Sequence, residues 1–187
     1  MEHLGTKELD TERILLRRFT LNDAEIMFNN WANDDIVTKY LSWTSHKDIN
    51  VTKNIIETWM QNYKKNDFYN WAIILKESNE PIGSIGVVRQ LDEIKMVEIG
   101  YCIGKKWWNN GITSEALNIL IKYFFEEVGI NRIEARHDPE NKYSGKVMEK
   151  CGMKYEGLMR QSGKNNLGIR DRIYYGIIAE DYLKNNM

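Results

Sequence analysis

The chain has 187 residues, enough for one ordinary domain around one core, and its 26 basic and 27 acidic side chains leave a net charge of −1. No electrostatic excess argues for nucleic acid or an anionic membrane surface, so a partner has to be inferred from a local site. The first twelve residues carry Glu2, Glu8, Asp10 and Glu12 without the apolar stretch of a secretory signal, and no later run approaches the roughly 20 apolar residues of a membrane span. A cytoplasmic protein is expected.

Residues 1–12 read as a flexible lead-in to a single domain, because no Ser/Gly-rich linker, low-complexity stretch or repeat divides the rest. Arg13 to Phe19 alternates as a first strand, and Thr20 or Asn22 caps a helix running to about Trp31. A second helix starts near Asp48, with Ile55, Ile56, Trp59, Met60 and Tyr63 on its apolar face. Strands over Tyr69–Leu75, Ile82–Val88 and Lys95–Ile103 follow, the first two joined by the turn-like Glu77-Ser78-Asn79-Glu80-Pro81.

The strongest helical pattern is Leu117, Leu120, Ile121, Phe124, Phe125 and Val128, ended by Gly129. Asn131–His137 reads as a strand, Asn141–Cys151 as a helix closed by Gly152, and Met153–Arg160 with Arg170–Ile178 as a closing strand pair where a homodimer would find an edge. The order β-α-α-β-β-β-α-β-α-β-β predicts an α+β domain, its mixed sheet covered by helices. Cys102 and Cys151 have no metal-ligand spacing, His3, His46 and His137 form no triad, and no metal site is expected. Both cysteines read as core thiols.

The segment Ile103-Gly104-Lys105-Lys106-Trp107-Trp108-Asn109-Asn110-Gly111-Ile112-Thr113 feeds the long helix. A tight turn into a helix N-terminus presents free N–H groups and partial positive charge, which suits phosphate oxygens, although an ordinary capped loop would look alike. Glycine at 111 lets a ligand approach the backbone closely, and Asn109 and Asn110 tolerate unusual dihedrals.

The stretch Val97-Glu98-Ile99-Gly100-Tyr101-Cys102-Ile103, then Trp108-Asn109-Asn110-Gly111-Ile112-Thr113-Ser114-Glu115-Ala116, resembles the GNAT superfamily of acetyl-CoA-dependent N-acetyltransferases, in the branch that acetylates ribosomal-protein N-termini. Arg132-Ile133-Glu134-Ala135-Arg136, Asp138-Pro139-Glu140-Asn141, Ser144, Val147, Lys150-Cys151-Gly152-Met153 and Glu156-Gly157 carry it further. Glu12-Arg13-Leu15-Leu16-Arg17 and Arg170-Asp171-Tyr174-Tyr175 extend it more weakly to both ends. Asn109 stands where the superfamily usually has Gly, and Thr113 where it has Ala or Gly.

The resemblance implies a mostly antiparallel sheet of about seven strands with helices on both faces. It also implies acetyl-CoA as co-substrate, held by Trp107, Trp108, Asn109, Asn110, Gly111, Ile112 and Thr113. The strand edge of Ile99, Tyr101 and Ile103 and the amide of Asn141 are expected to meet the pantetheine arm, Asn141 alternatively capping its helix. Two asparagine and threonine side chains near the phosphates bear on affinity, and Thr113 has a hydroxyl to donate or to cap with.

Acetyl transfer to an amine needs a neutral amine, a polarised thioester carbonyl and a proton for the departing thiolate. Glu98 is the candidate base, acting through water as the resemblance suggests; an ion pair with a basic residue on a neighbouring strand is the alternative. The superfamily's proton-donating tyrosine position falls on Met148, whose thioether has no proton. Ser144 is the first substitute, on the stripe Ser144, Val147, Met148, Cys151, ahead of water and Tyr143. Among the aromatics Trp43 is expected to line the acceptor groove and Trp59 to be core. The expected acceptor is a primary amine, in the first instance a protein N-terminus; a small amine such as a polyamine, antibiotic or amino acid derivative, or a non-catalytic CoA-binding module, are the alternatives.

Overall fold

A computed structural model describes residues 1–185. In chain order the elements are β1 (Leu9–Asp10), β2 (Ile14–Arg17), α1 (Ala24–Met27), α2 (Asp35–Thr38), α3 (Ile49–Asn62), β3 (Asn70–Leu75), β4 (Glu80–Leu91) and β5 (Met96–Ile103). Then come α4 (Ile112–Tyr123), β6 (Arg132–His137), α5 (Lys142–Lys150), β7 (Lys154–Asn165), β8 (Gly168–Ile178) and α6 (Ala179–Asn185). One eight-stranded sheet runs β1-β2-β3-β4-β5-β6-β8-β7. Every neighbouring pair is antiparallel except β5 and β6.

Side chains on successive strand residues point to opposite faces, and β3 shows how this builds two cores. Trp71 and Ile73 join the cluster of α4 residues Leu117, Leu120 and Ile121, whereas Ala72 and Ile74 join Trp31, Ile56 and Phe19 on the other face. Leu117 and Leu120 are fully buried, as their spacing on the helix requires. Burying each such side chain contributes about 1.5–3 kcal/mol, so this stripe fixes α4 on the sheet.

The mixed sheet with helices on both faces is the expected architecture, with one strand more than expected, the two-residue β1. This strand lies within residues 1–12, read from sequence as a flexible lead-in, and the segment is also hydrogen-bonded to the core. Trp71 Nε1 donates to Lys7 O, Tyr123 Oη to Gly5 O and Thr6 Oγ1 to Phe68 O, while β1 pairs with β2. Buried aromatic polar groups need partners, and the backbone of this segment supplies them.

The first helical region is more broken than its sequence pattern suggests. Thr20 rather than Asn22 starts it, with the Asp23 carboxylate accepting from the Thr20 amide at 2.8 Å, and it widens into a π turn over Phe28–Ala32. The four-residue α2, begun by the Asp34 side chain accepting from the Ile36 amide, and α6 were not anticipated. Asp48 caps α3 by accepting from Asn50 at 2.8 Å. Past α4 the chain continues in a wider turn over Phe124–Val128 and stops at Gly129 at φ 71°, the left-handed position expected there.

Candidate active site

The two parallel strands separate almost as soon as they meet. Pairing of β5 with β6 covers only Met96–Arg132, Val97–Ile133 and Glu98–Glu134, although β5 stays paired with β4 through Ile103. From Ile99 onward the β6-facing edge of β5 has no strand partner among the described residues. A cleft of about 540 Å³ opens at this gap, bounded by β5, the loop before α4, and α5, with Val37, Tyr40 and Leu41 on another wall.

Of the residues expected to bind a cofactor, the cleft is lined by Tyr101, Ile103, Trp107, Trp108, Asn109, Gly111, Ile112, Thr113 and Asn141. Ile99 and Asn110 are outside that lining, Ile99 being buried against the α4 cluster. The loop doubles back through two left-handed residues, Asn109 at φ 63° and Gly111 at φ 75°, so Asn109 does adopt the conformation its substitution for glycine demands. Trp107 is buried and anchors the turn, while Trp108 Nε1 donates to Ile103 O at 2.8 Å.

Neither candidate side-chain cap forms. Gly111 occupies the N-cap of α4, so Thr113 lies inside the first turn, and no side chain caps that end. Asn141 precedes α5 but its side chain makes no capping hydrogen bond, and the residue lines the cleft.

Glu98 is 2% exposed and is not part of the cleft lining. It forms the ion pairs foreseen as its alternative role, with Arg136 Nε of β6 at 2.8 Å and Arg89 Nε of β4 at 3.4 Å. Burial nevertheless dominates over both arginines and holds its carboxyl above the usual glutamate range. Its Oε2 has no hydrogen-bond partner among the described residues. Strand alternation puts Glu98 on the same sheet face as Cys102, which does line the cleft.

On α5, Ser144 and Tyr143 line the cleft, Tyr143 being exposed as its place off the stripe suggests, and Met148 is buried at 2%. Tyr101 was expected to contribute backbone alone, yet its hydroxyl donates to Ser144 O at 2.9 Å and burial drives its proton affinity up, so it fixes α5 against β5. Trp43 does not reach the cleft; it packs on His46 at 5.3 Å, and Tyr40 takes the wall position instead. Cys151 is buried, whereas Cys102 is half-buried at the cleft with Ser84 Oγ 3.3 Å from its sulfur.

Residues 13–154 match the family described as the acetyltransferase (GNAT) domain. The chain belongs to the GNAT acetyltransferases. It is 33% identical over 174 residues to a Bacillus licheniformis protein named uncharacterized N-acetyltransferase p20, covering 93% of this chain and 97% of that one. The crystal structure of a GNAT-family acetyltransferase from Bacillus anthracis superimposes with a TM-score of 0.81 at 31% identity, covering 93% of this chain and 99% of that one. The [ribosomal protein uS5]-alanine N-acetyltransferase of Escherichia coli is 41% identical over 84 residues, 45% of this chain and 43% of the relative. The protein is therefore an acetyl-CoA-dependent N-acetyltransferase.

This GNAT cleft suits coenzyme A on its own features. Two left-handed backbone positions and the N-terminus of a twelve-residue helix offer N–H groups to a diphosphate, and the unpaired edge of β5 offers them to an amide-bearing arm. Val37 escaped sequence reading because α2 is too short to show a period, and the place of Cys102 at the cleft because nothing in its neighbours marks the gap between strands. Among the described residues no cluster of His, Cys, Asp or Glu is placed to hold a metal ion, and no helix is long and apolar enough to cross a membrane.

Proposed function

We propose that the acceptor is the α-amino group of a protein or peptide N-terminus. The observation that carries this is a strap that ties together two segments flanking the cleft. At the tip of the β7–β8 hairpin, Asn166 Nδ2 donates to Thr38 O and to Trp43 O, each at 2.8 Å, while Asn165 Nδ2 donates to Asp138 at 2.8 Å. The hairpin thus joins the segment holding Val37, Tyr40 and Leu41 to the end of β6, three residues before Asn141. Such a strap favours a free chain end as acceptor over a side chain held on a folded surface. The likeness to the uS5-alanine enzyme, though it spans under half of each chain, supports the same acceptor class.

Acetyl-CoA supplies the activated acetyl group as a thioester, attacked directly by the amine. The loop from Trp107 to Thr113 holds the diphosphate, and Tyr101, Ile103 and Asn141 meet the pantetheine arm along the edge whose free backbone begins at Ile99. Glu98 takes the proton of the incoming ammonium through water at Oε2, which faces Arg89 at 3.4 Å but accepts no hydrogen bond among the described residues, and its raised proton affinity suits that role. Ser144 Oγ relays a proton to the departing thiolate and regains one from the acetylated nitrogen as the tetrahedral intermediate collapses, since Met148 is buried and has none.

Release of free CoA should be followed with peptides bearing free N-termini, the same peptides N-blocked but containing lysines, and polyamines. Turnover confined to free N-termini supports the assignment. Turnover of polyamines or blocked peptides, with none on free termini, overturns it.

A further inference from the structure

Arg13, just ahead of β2, lies about a hundred residues in sequence from the loop that the cleft uses, yet its side chain is built into that loop's support. Its Nη1 donates to the carbonyl of Asn110 at 2.9 Å. Its Nε and Nη2 meet Glu115 Oε2 at 2.6 and 2.5 Å, and its own amide donates to Glu115 Oε1 at 3.2 Å. Thr11 Oγ1 completes the arrangement by donating to Glu115 Oε1 at 2.6 Å. One guanidinium therefore ties the first turn of α4 to the peptide that precedes it.

The geometry of that peptide gives the contact its meaning. In a trans peptide the carbonyl and the following N–H point in opposite directions, and no cis bond is found among the described residues. Holding Asn110 O on the guanidinium consequently aims the Gly111 N–H away from Arg13. Gly111 lines the cleft, with Arg13 behind it: a Cβ at 111 would lie 3.6 Å from Arg13 Nη2. Without the guanidinium, the left-handed turn at Gly111 would be one of several backbone states open to a glycine.

Charge points the same way. Glu115 stands in the first turn of α4, where an uncompensated carboxylate favours the helix dipole but repels a diphosphate brought to the same N–H groups. Arg13 offsets that charge in place. A half-exposed ion pair of this kind contributes on the order of 1 kcal/mol to stability, so fold stability alone gives a weak reason for five contacts converging on one carboxylate and one carbonyl.

We propose that Arg13 is a positioning residue for coenzyme A: it locks the Asn110–Gly111 peptide so that the Gly111 N–H faces the diphosphate, and it cancels Glu115. This rests on the assignment of the 107–113 loop to the diphosphate. A residue acting only on the fold would affect all ligands of the cleft alike, whereas this brace acts on the diphosphate part alone.

Titrations with coenzyme A and with pantetheine, which lacks the diphosphate, followed by amide NMR to cover micromolar and millimolar affinities, separate the two cases. Arg13→Ala should weaken coenzyme A about tenfold, the loss expected for one charge-assisted hydrogen bond, and leave pantetheine within about twofold. Arg13→Lys keeps the charge but not the fork, so it should lose about threefold for coenzyme A only and remain measurable if the alanine variant folds poorly. Unchanged coenzyme A affinity in a folded variant overturns the brace, as does an equal loss for both ligands. A wild-type protein that binds neither ligand overturns the loop assignment itself.

Discussion

At the scale of single residues, the site turns on a carboxylate held by two arginines yet reluctant to ionise. Arg136 and Arg89 both lower the proton affinity of Glu98, but the cost of burying its charge is larger. If Glu98 is the base, only its ionised form works, so kcat/KM rises as pH climbs through a value above the ordinary 4.5. Glu98→Gln should reduce kcat by about a hundredfold, remove that ascending limb, and leave coenzyme A affinity unchanged. An unaltered pH profile in the variant would mean that the ion pairs are structural. Ser144→Ala is the milder case, because water also reaches the cleft: about tenfold in kcat with KM for acetyl-CoA preserved, measured in steady state. A rise in KM alone would move Ser144 from proton transfer to cofactor contact.

At the scale of elements, the β7–β8 hairpin depends on one buried carboxylate at the end of β6. Asp138 accepts from Asn165 at 2.8 Å, the Glu140 amide at 2.9 Å and Arg170 Nε at 3.0 Å, with Arg172 Nη1 at 3.4 Å. Burial works to raise its proton affinity, but these donors outweigh burial and hold it below the ordinary 3.8. A carboxyl depressed in the folded state contributes stability above its unfolded value and loses it as pH falls through the folded one. Asp138→Asn should therefore cost about 3 kcal/mol at pH 6 by urea unfolding, and its deficit against wild type should shrink below pH 3.8. A deficit independent of pH would reject the charge as its cause. This hairpin also shows what the sequence conceals. The stripe of α4 and the Gly129 stop are local patterns and were readable, as were β3 to β5 and the 107–113 turn. The bonds of Asn166 reach back 128 and 123 residues to bare carbonyls, and no side-chain pattern encodes such an acceptor. The ties of the first twelve residues are concealed for the same reason: Trp71 and Tyr123 donate to backbone carbonyls of this segment.

At the scale of the whole molecule, one sheet separates two cores that share its strands, so neither face can melt while the other stays intact. Ile56 belongs to the α3 side and Leu120 to the α4 side, both fully buried. Leu120→Ala and Ile56→Ala should each cost about 2–5 kcal/mol and shift one common transition seen by circular dichroism and tryptophan fluorescence alike. Two separated transitions would show the faces to be independent. Coenzyme A provides the complementary test, since a cleft assembled from β5, α4, α5 and the chain around α2 exists only in the folded protein. A ligand binding only the native state at a hundred times its Kd stabilises it by about 2.7 kcal/mol, and for a domain of this size each kcal/mol moves the midpoint by about 2–4 °C. The melting temperature should rise by about 5–11 °C, and it should do so as a single transition, because the strands that hold the ligand also run through both cores. Stabilisation of only part of the signal would place the cleft on a unit that folds apart from the α1–α3 face.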